Sequence, residues 1–137
     1  MRLLASREHS RAELRSKLAL KSADANRLEQ VLDALEANNS LSDERYVEQY
    51  VGFRKRKGFG PLRIRMELKR KGIDNAMISD WLDERNPEWM QLLESASRSK
   101  FGFSAPADFR ERGKRARFLE YRGFPTELIR RFLWSDE

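Results

Sequence analysis

A chain of 137 residues is long enough for one ordinary domain, but 39% apolar and 36% charged residues leave only a thin core to spread along it. With no Cys and a single His it excludes disulfides, thiolate sites and a Cys nucleophile, fits a reduced cytoplasmic setting, and offers neither HExxH nor paired-His spacing, so no metal or cofactor is expected. Twenty-eight Lys and Arg against 22 Asp and Glu give +6 and a pI near 9.9, which favours a polyanionic partner, and no apolar run approaches the ~20 residues of a membrane span.

The first elements are helical. A short helix is expected through Arg7, and Ser10 with Glu13 three residues later forms a capping box that opens a second, with Leu14 and Leu18 inward. A third is expected from about Ala23 to Ala37, its apolar stripe formed by Leu28, Val31, Leu32 and Leu35. These make a first repeat over 2–39.

Ser42 caps the next helix, with Asp43 and Glu44 in its positive first turn and Tyr46, Val47, Tyr50 and Val51 as its buried face. It should stop near Lys57-Gly58. Pro61 suits the first position of a helix running to Lys71, with Ile64 and Leu68 inward and Gly72 as the stop, and a further helix is expected from Asp74 to Arg85. These close a second repeat over 42–86.

The third repeat, 87–135, starts at Pro87 with Trp89, Met90 and Leu93 on a helix that fades into Ser95–Ser104, the stretch expected to be most flexible, pinned by Phe101 and Phe103. A helix over Asp108–Tyr121 then stops at Gly123, and Pro125 opens the last helix, which carries Leu128, Ile129, Phe132 and Leu133. Lys71-Gly72-Ile73 corresponds to Arg122-Gly123-Phe124. No β-strand is expected.

One pattern recurs in all three segments: Leu, ten residues on Leu or Ile, three more to a bulky apolar residue, then Leu. Its instances are Leu18, Leu28, Val31, Leu32; Leu68, Ile78, Trp81, Leu82; and Leu119, Ile129, Phe132, Leu133. A period near 50 residues marks a tandem array. The fold expected is therefore all-α, three tandem three-helix repeats forming an elongated, curved array.

The basic charge is concentrated. Arg54, Lys55, Arg56, Lys57, Arg63, Arg65, Lys69, Arg70 and Lys71 face the single acid Glu67, a net +8 in 18 residues. Such a run is self-repulsive and is relieved by an anionic partner, although a solvated face with cations at the helix C-termini accounts for part of it. Phe59 suits either stacking on a base or packing the turn. A further run, Arg110, Arg112, Lys114, Arg115, Arg117 and Arg122, lies in the third repeat. His9 fits a packed helix junction, and Asp43 with Glu44 and Asp83 with Glu84 fit capping and surface charge; no catalytic residue and no nucleophile with its base emerges.

Leu4-Ala5-Ser6-Arg7-Glu8-His9-Ser10-Arg11-Ala12-Glu13-Leu14, Asp43 to Tyr50, Arg54-Lys55-Arg56-Lys57-Gly58-Phe59-Gly60-Pro61, Leu68-Lys69-Arg70-Lys71-Gly72-Ile73 and Phe118-Leu119-Glu120-Tyr121-Arg122-Gly123-Phe124 together resemble the RecX regulators of the RecA recombinase. The central stretch is the most specific. The resemblance implies three three-helix units and a non-enzymatic, cytoplasmic regulator of DNA recombination, repair and the SOS response. It also implies a binding partner, the RecA filament on DNA, whose ATP hydrolysis, strand exchange and co-protease activity the regulator restrains. Contacts to single- and double-stranded DNA and a monomeric state complete the expectation, with no membrane. The alternative is a stand-alone basic helical nucleic-acid-binding protein, and a nucleic-acid enzyme ranks third.

Overall fold

The computed structural model describes residues 8–19, 25–38 and 41–134. Among them lie eight helices and no strand: α1 (Arg11–Ala19), α2 (Ala25–Ala37), α3 (Asp43–Arg56), α4 (Pro61–Arg70), α5 (Asn75–Trp81), α6 (Glu88–Phe101), α7 (Phe109–Tyr121) and α8 (Thr126–Trp134). The short helix expected before Ser10 and the start of α2 placed at Ala23 fall outside the described residues, whereas α2 ends at Ala37 as expected. By compactness the chain divides into a first unit, 1–50 with 67–81, and a second, 51–66 with 82–137.

The first unit follows from its caps and its leucines. Ser10 Oγ accepts the Glu13 amide at 3.0 Å and Ser42 Oγ accepts the Arg45 amide at 3.1 Å, each satisfying an orphan donor of a first turn. Leu14, Leu28, Leu32 and Leu41 form one buried cluster with Leu18 and Leu35 against its edge. Val31 is not part of it: 39% of its surface is exposed, so the stripe expected on α2 is narrower than the spacing suggested. Outside the cluster Arg11 fans over α2, donating to Glu29 at 3.0 Å, Asp33 at 2.8 Å and Glu36. Hydrogen bonds from Arg15 and Arg11 hold the Glu29 carboxyl down at about 2, against an ordinary value of 4.5. His9 is buried with Lys17 Nζ 3.3 Å from its Nε2, in keeping with a packed junction.

Tyr46 and Val47 are buried as expected, whereas Tyr50 is half-buried and its hydroxyl donates to Glu67 at 2.7 Å. Leu68 is fully buried on α4. Leu68→Ala is therefore expected to cost about 2–5 kcal/mol of stability, measured by urea unfolding; a negligible loss would refute the inward assignment of that face.

In the second unit α6 runs through Phe101, with Ala96 and Ser97 buried, so the stretch expected to be flexible is helical for most of its length. Phe101 packs edge-on to Phe118 with ring centroids 5.4 Å apart, but Phe103, expected to pin the segment, is 87% exposed. Asp108 caps α7 by accepting the Glu111 amide at 2.8 Å. In the first unit α5 is shorter than the helix expected over Asp74–Arg85. In the second, Asp83 accepts the Arg85 amide at 3.0 Å, a local turn that competes with helix, and the same hydrogen bond lowers the Asp83 pKa.

Three helices end identically. Gly58, Gly72 and Gly123 have φ of +88°, +84° and +96°, and the next amide reaches back five residues: Phe59 to Arg54, Ile73 to Leu68 and Phe124 to Leu119, each at 3.1 Å. These are Schellman ends, in which glycine takes the left-handed position without a Cβ penalty and the following apolar residue packs back. The correspondence read at Gly72 and Gly123 thus has a third member, Lys57-Gly58-Phe59.

Candidate functional site

The basic residues of the second unit sort by what they already touch. Around the α3–α4 turn the Phe59 ring carries three guanidinium groups, Arg54 at 3.8 Å, Arg63 at 4.6 Å and Arg122 at 4.7 Å from its centroid. Phe59 thereby packs the turn, one of the two roles expected of it, and stays half-buried. Arg63 also stacks on Tyr121, at 4.8 Å, and donates to the Tyr121 carbonyl at 3.2 Å. Arg122 donates to the Lys57 carbonyl at 2.8 Å.

The backbone completes this joint. Gly60 N–H donates to the Arg122 carbonyl at 2.7 Å, and Leu62 N–H to the Gly123 carbonyl at 2.9 Å. The amides that open α4 are therefore satisfied by the carbonyls that close α7. The approach is so close that a Cβ on Gly60 would lie 2.6 Å from the Gly123 backbone, and one on Gly123 would lie 2.4 Å from Arg63 Cβ. The sequence marks Gly60 only by its place before Pro61, which signals the helix start but not its distant acceptor.

Four further cations serve the fold. Lys55 pairs with Glu88 at 2.8 Å and lies over the Trp89 ring. Arg65 donates to the Leu82 carbonyl at 3.1 Å and lies 3.5 Å from Glu84. Arg115 is only 8% exposed, donating to Glu111 at 3.1 Å and to the Ser104 carbonyl at 2.8 Å. Arg112 reaches the Trp134 ring at 5.9 Å.

What remains faces outward. In the second unit Arg56, Lys57, Arg110, Lys114 and Arg117 are exposed and form no ion pair among the described residues; in the first unit the same holds for Lys69 and Arg70, while Lys71 lies over the Tyr50 ring at 5.4 Å. The α7 face presents Arg110, Lys114 and Arg117 at three- and four-residue spacing, so they share one side of the helix. Exposed aromatics that the sequence reading did not single out as a surface, Phe103, Phe109 and Tyr121, lie in the same unit, with Arg98 over Phe103 at 5.5 Å. Cations that form no ion pair among the described residues, in a unit that also exposes rings, suit an anionic, partly aromatic partner. No helix among the described residues is long and apolar enough to cross a membrane.

Comparison with known proteins agrees with this architecture. Residues 42–82 match the family described as RecX, second three-helix domain, and residues 87–133 match RecX, third three-helix domain. The regulatory protein RecX of Pseudomonas fluorescens strain SBW25 is 46% identical over 133 residues, covering 97% of this chain and 86% of the relative. A crystal structure of regulatory protein RecX superposes with a TM-score of 0.79 at 23% identity, covering 98% of this chain and 67% of that one. RecX from Lactobacillus salivarius gives the same TM-score at 18% identity over 98% of this chain and 89% of its own, so the helical fold persists where sequence has diverged. With family matches over most of its length and relatives nearly half identical along almost all of it, the chain belongs to the RecX family of regulatory proteins.

Proposed function

We propose that this chain regulates the RecA recombinase, mainly as an inhibitor, by lodging in the groove of the RecA filament on DNA and restraining ATP hydrolysis, strand exchange and co-protease activity. Family membership along nearly the whole chain carries this reading. The exposed cations Arg56, Lys57, Lys69, Arg70, Arg110, Lys114 and Arg117 support it, because a nucleoprotein filament supplies an anion where no ion pair forms among the described residues, and half-buried Lys71 adjoins them in sequence. In this reading three repeats, 2–39, 42–86 and 87–135, act without chemistry: they hold neighbouring protomers together and reach towards bound DNA, so that each protomer is less free to make the changes its ATPase cycle requires.

The test is RecA ATP hydrolysis on saturating single-stranded DNA, with DNA in excess, while this protein is titrated. Inhibition at substoichiometric protein is expected. Lys69→Gln with Arg70→Gln, which keeps two good helix formers, is expected to raise the half-inhibiting concentration roughly three- to tenfold with unchanged circular dichroism. Arg65 is left unaltered in this test, since it already donates to the Leu82 carbonyl and faces Glu84. No effect of the unaltered protein on RecA, beside tight and steeply salt-dependent binding to bare DNA, would replace this function with the stand-alone nucleic-acid-binding one.

A further inference from the structure

A cleft of about 250 Å³ in the second unit is lined from three elements far apart in sequence: Lys55, Arg56 and Lys57 at the end of α3, Ser95, Ser99 and Lys100 on α6, and Arg122 after α7. No carboxylate of the described residues lines it. Two of its cations are committed, Lys55 to Glu88 and Arg122 to the Lys57 carbonyl. Arg56, Lys57 and Lys100 form no ion pair among the described residues, which leaves uncompensated positive charge converging on one half-open space. Cations gathered in this way repel one another until an anion joins them.

We propose that this cleft is a phosphate pocket, taking one backbone phosphate of a single nucleic-acid strand; the proposal deepens the RecA–DNA reading, and rests on it for the claim that nucleic acid is the natural ligand. The chemistry favours phosphate over a protein carboxylate. Ser95 and Ser99, four residues apart, lie on one side of α6 and add neutral hydroxyl donors to the cations of α3, so donors approach from different directions, as the oxygens of a tetrahedral anion require. A carboxylate presents only a planar pair of oxygens. Leu92, Ala96 and Phe118 contribute apolar lining, which reduces local screening and strengthens the attraction. The half-open form admits a phosphodiester passing through, where a closed cavity would accept only a free anion.

The experiment uses the full chain and fluorescein-labelled oligothymidylate, followed by anisotropy across a salt series. Ser99→Asp, which places a carboxylate in the cleft, is expected to weaken binding about tenfold and to reduce the slope of log affinity against log salt by about 0.7, the loss of one single-strand phosphate contact. Arg56→Gln with Lys100→Gln should act in the same direction and stands in should Ser99→Asp fail to fold by circular dichroism. Inorganic phosphate titrated into isotope-labelled protein should shift the Gly58 and Ser99 amides only at millimolar concentration, whereas the oligonucleotide does so at micromolar; equal affinities would reassign the pocket to free phosphate. Unchanged affinity and slope in both folded variants would overturn the proposal. So would variants that lose RecA inhibition yet bind the oligonucleotide normally, because the pocket would then take a carboxylate of the protein partner. Failure of the unaltered protein to affect RecA, with the oligonucleotide results as expected, would remove the RecA reading and leave the pocket standing.

Discussion

Gly123→Ala is expected to destabilise the second unit by about 3 kcal/mol or more, from two causes that add. Gly123 has φ of +96°, a conformation in which a side chain is strained by roughly 1–3 kcal/mol. The added Cβ would also meet Arg63 Cβ at 2.4 Å and its backbone nitrogen at 2.6 Å. Those atoms belong to the first turn of α4 and cannot swing away as a side-chain tip would; separating the two turns stretches the hydrogen bonds from Gly60 and Leu62. Gly58→Ala provides the control, because Gly58 has φ of +88° at the same position of a Schellman end, and its Cβ would come closest to the tip of the Arg122 side chain, at 3.2 Å, rather than to backbone. Urea unfolding of both variants isolates the close approach: if Gly123→Ala loses no more stability than Gly58→Ala, the contact between the two turns is refuted.

Trp89→Ala is expected to cost about 3–5 kcal/mol, among the largest losses available to a single side chain here. Only 1% of Trp89 is exposed, its Nε1 donates to the Asp83 carbonyl at 2.9 Å, and Lys55 Nζ lies 4.9 Å from its ring centroid. Truncation therefore empties a large volume, removes one of the two hydrogen bonds that the Asp83 carbonyl accepts, the other coming from Asn86 N–H at 3.0 Å, and takes away the ring beside a cation. Trp89→Phe separates these effects, retaining most of the volume while losing the hydrogen bond, and should cost about 1–2 kcal/mol. Thermal or urea unfolding monitored by circular dichroism checks both. A loss under about 1 kcal/mol for Trp89→Ala would mean that the site collapses freely and that Trp89 does not organise the start of α6.

Helix starts and stops were legible because they depend on local chemistry: the hydroxyls of Ser10 and Ser42, the carboxylate of Asp108 and the glycines at 58, 72 and 123 act within a turn of where they stand. The leucine pattern marked the core correctly at its first, second and fourth positions except Leu18, which lies at the edge. Its third position, Val31, Trp81 or Phe132, is exposed or half-buried in every repeat. Residues three and four along a helix fall on opposite sides of the line through the first, so spacing alone does not tell which of them turns further inward. The serines of α6 misled for a related reason: their weak helix preference is overridden where Ala96 and Ser97 are buried by tertiary packing. The candidate site was legible as a quantity of charge but not as a surface. Lys55, Arg65 and Arg115 are spent on Glu88, on the Leu82 carbonyl with Glu84, and on the Ser104 carbonyl with Glu111, and for the first two the acceptors come from segments well removed along the chain.

The joint between the α3–α4 turn and the end of α7 also bears on the order in which the chain is made. Synthesis runs from the N-terminus, and domains fold as their parts emerge. The Gly60 and Leu62 amides leave the ribosome long before the Arg122 and Gly123 carbonyls that accept them. Until that second turn appears, the start of α4 has only water to bond, and Phe59 lacks the third of its guanidinium groups. Completion of this part of the protein is thus timed by its distal end, and a nascent chain halted before Gly123 would display an unfinished, strongly basic turn to whatever polyanion lies nearest.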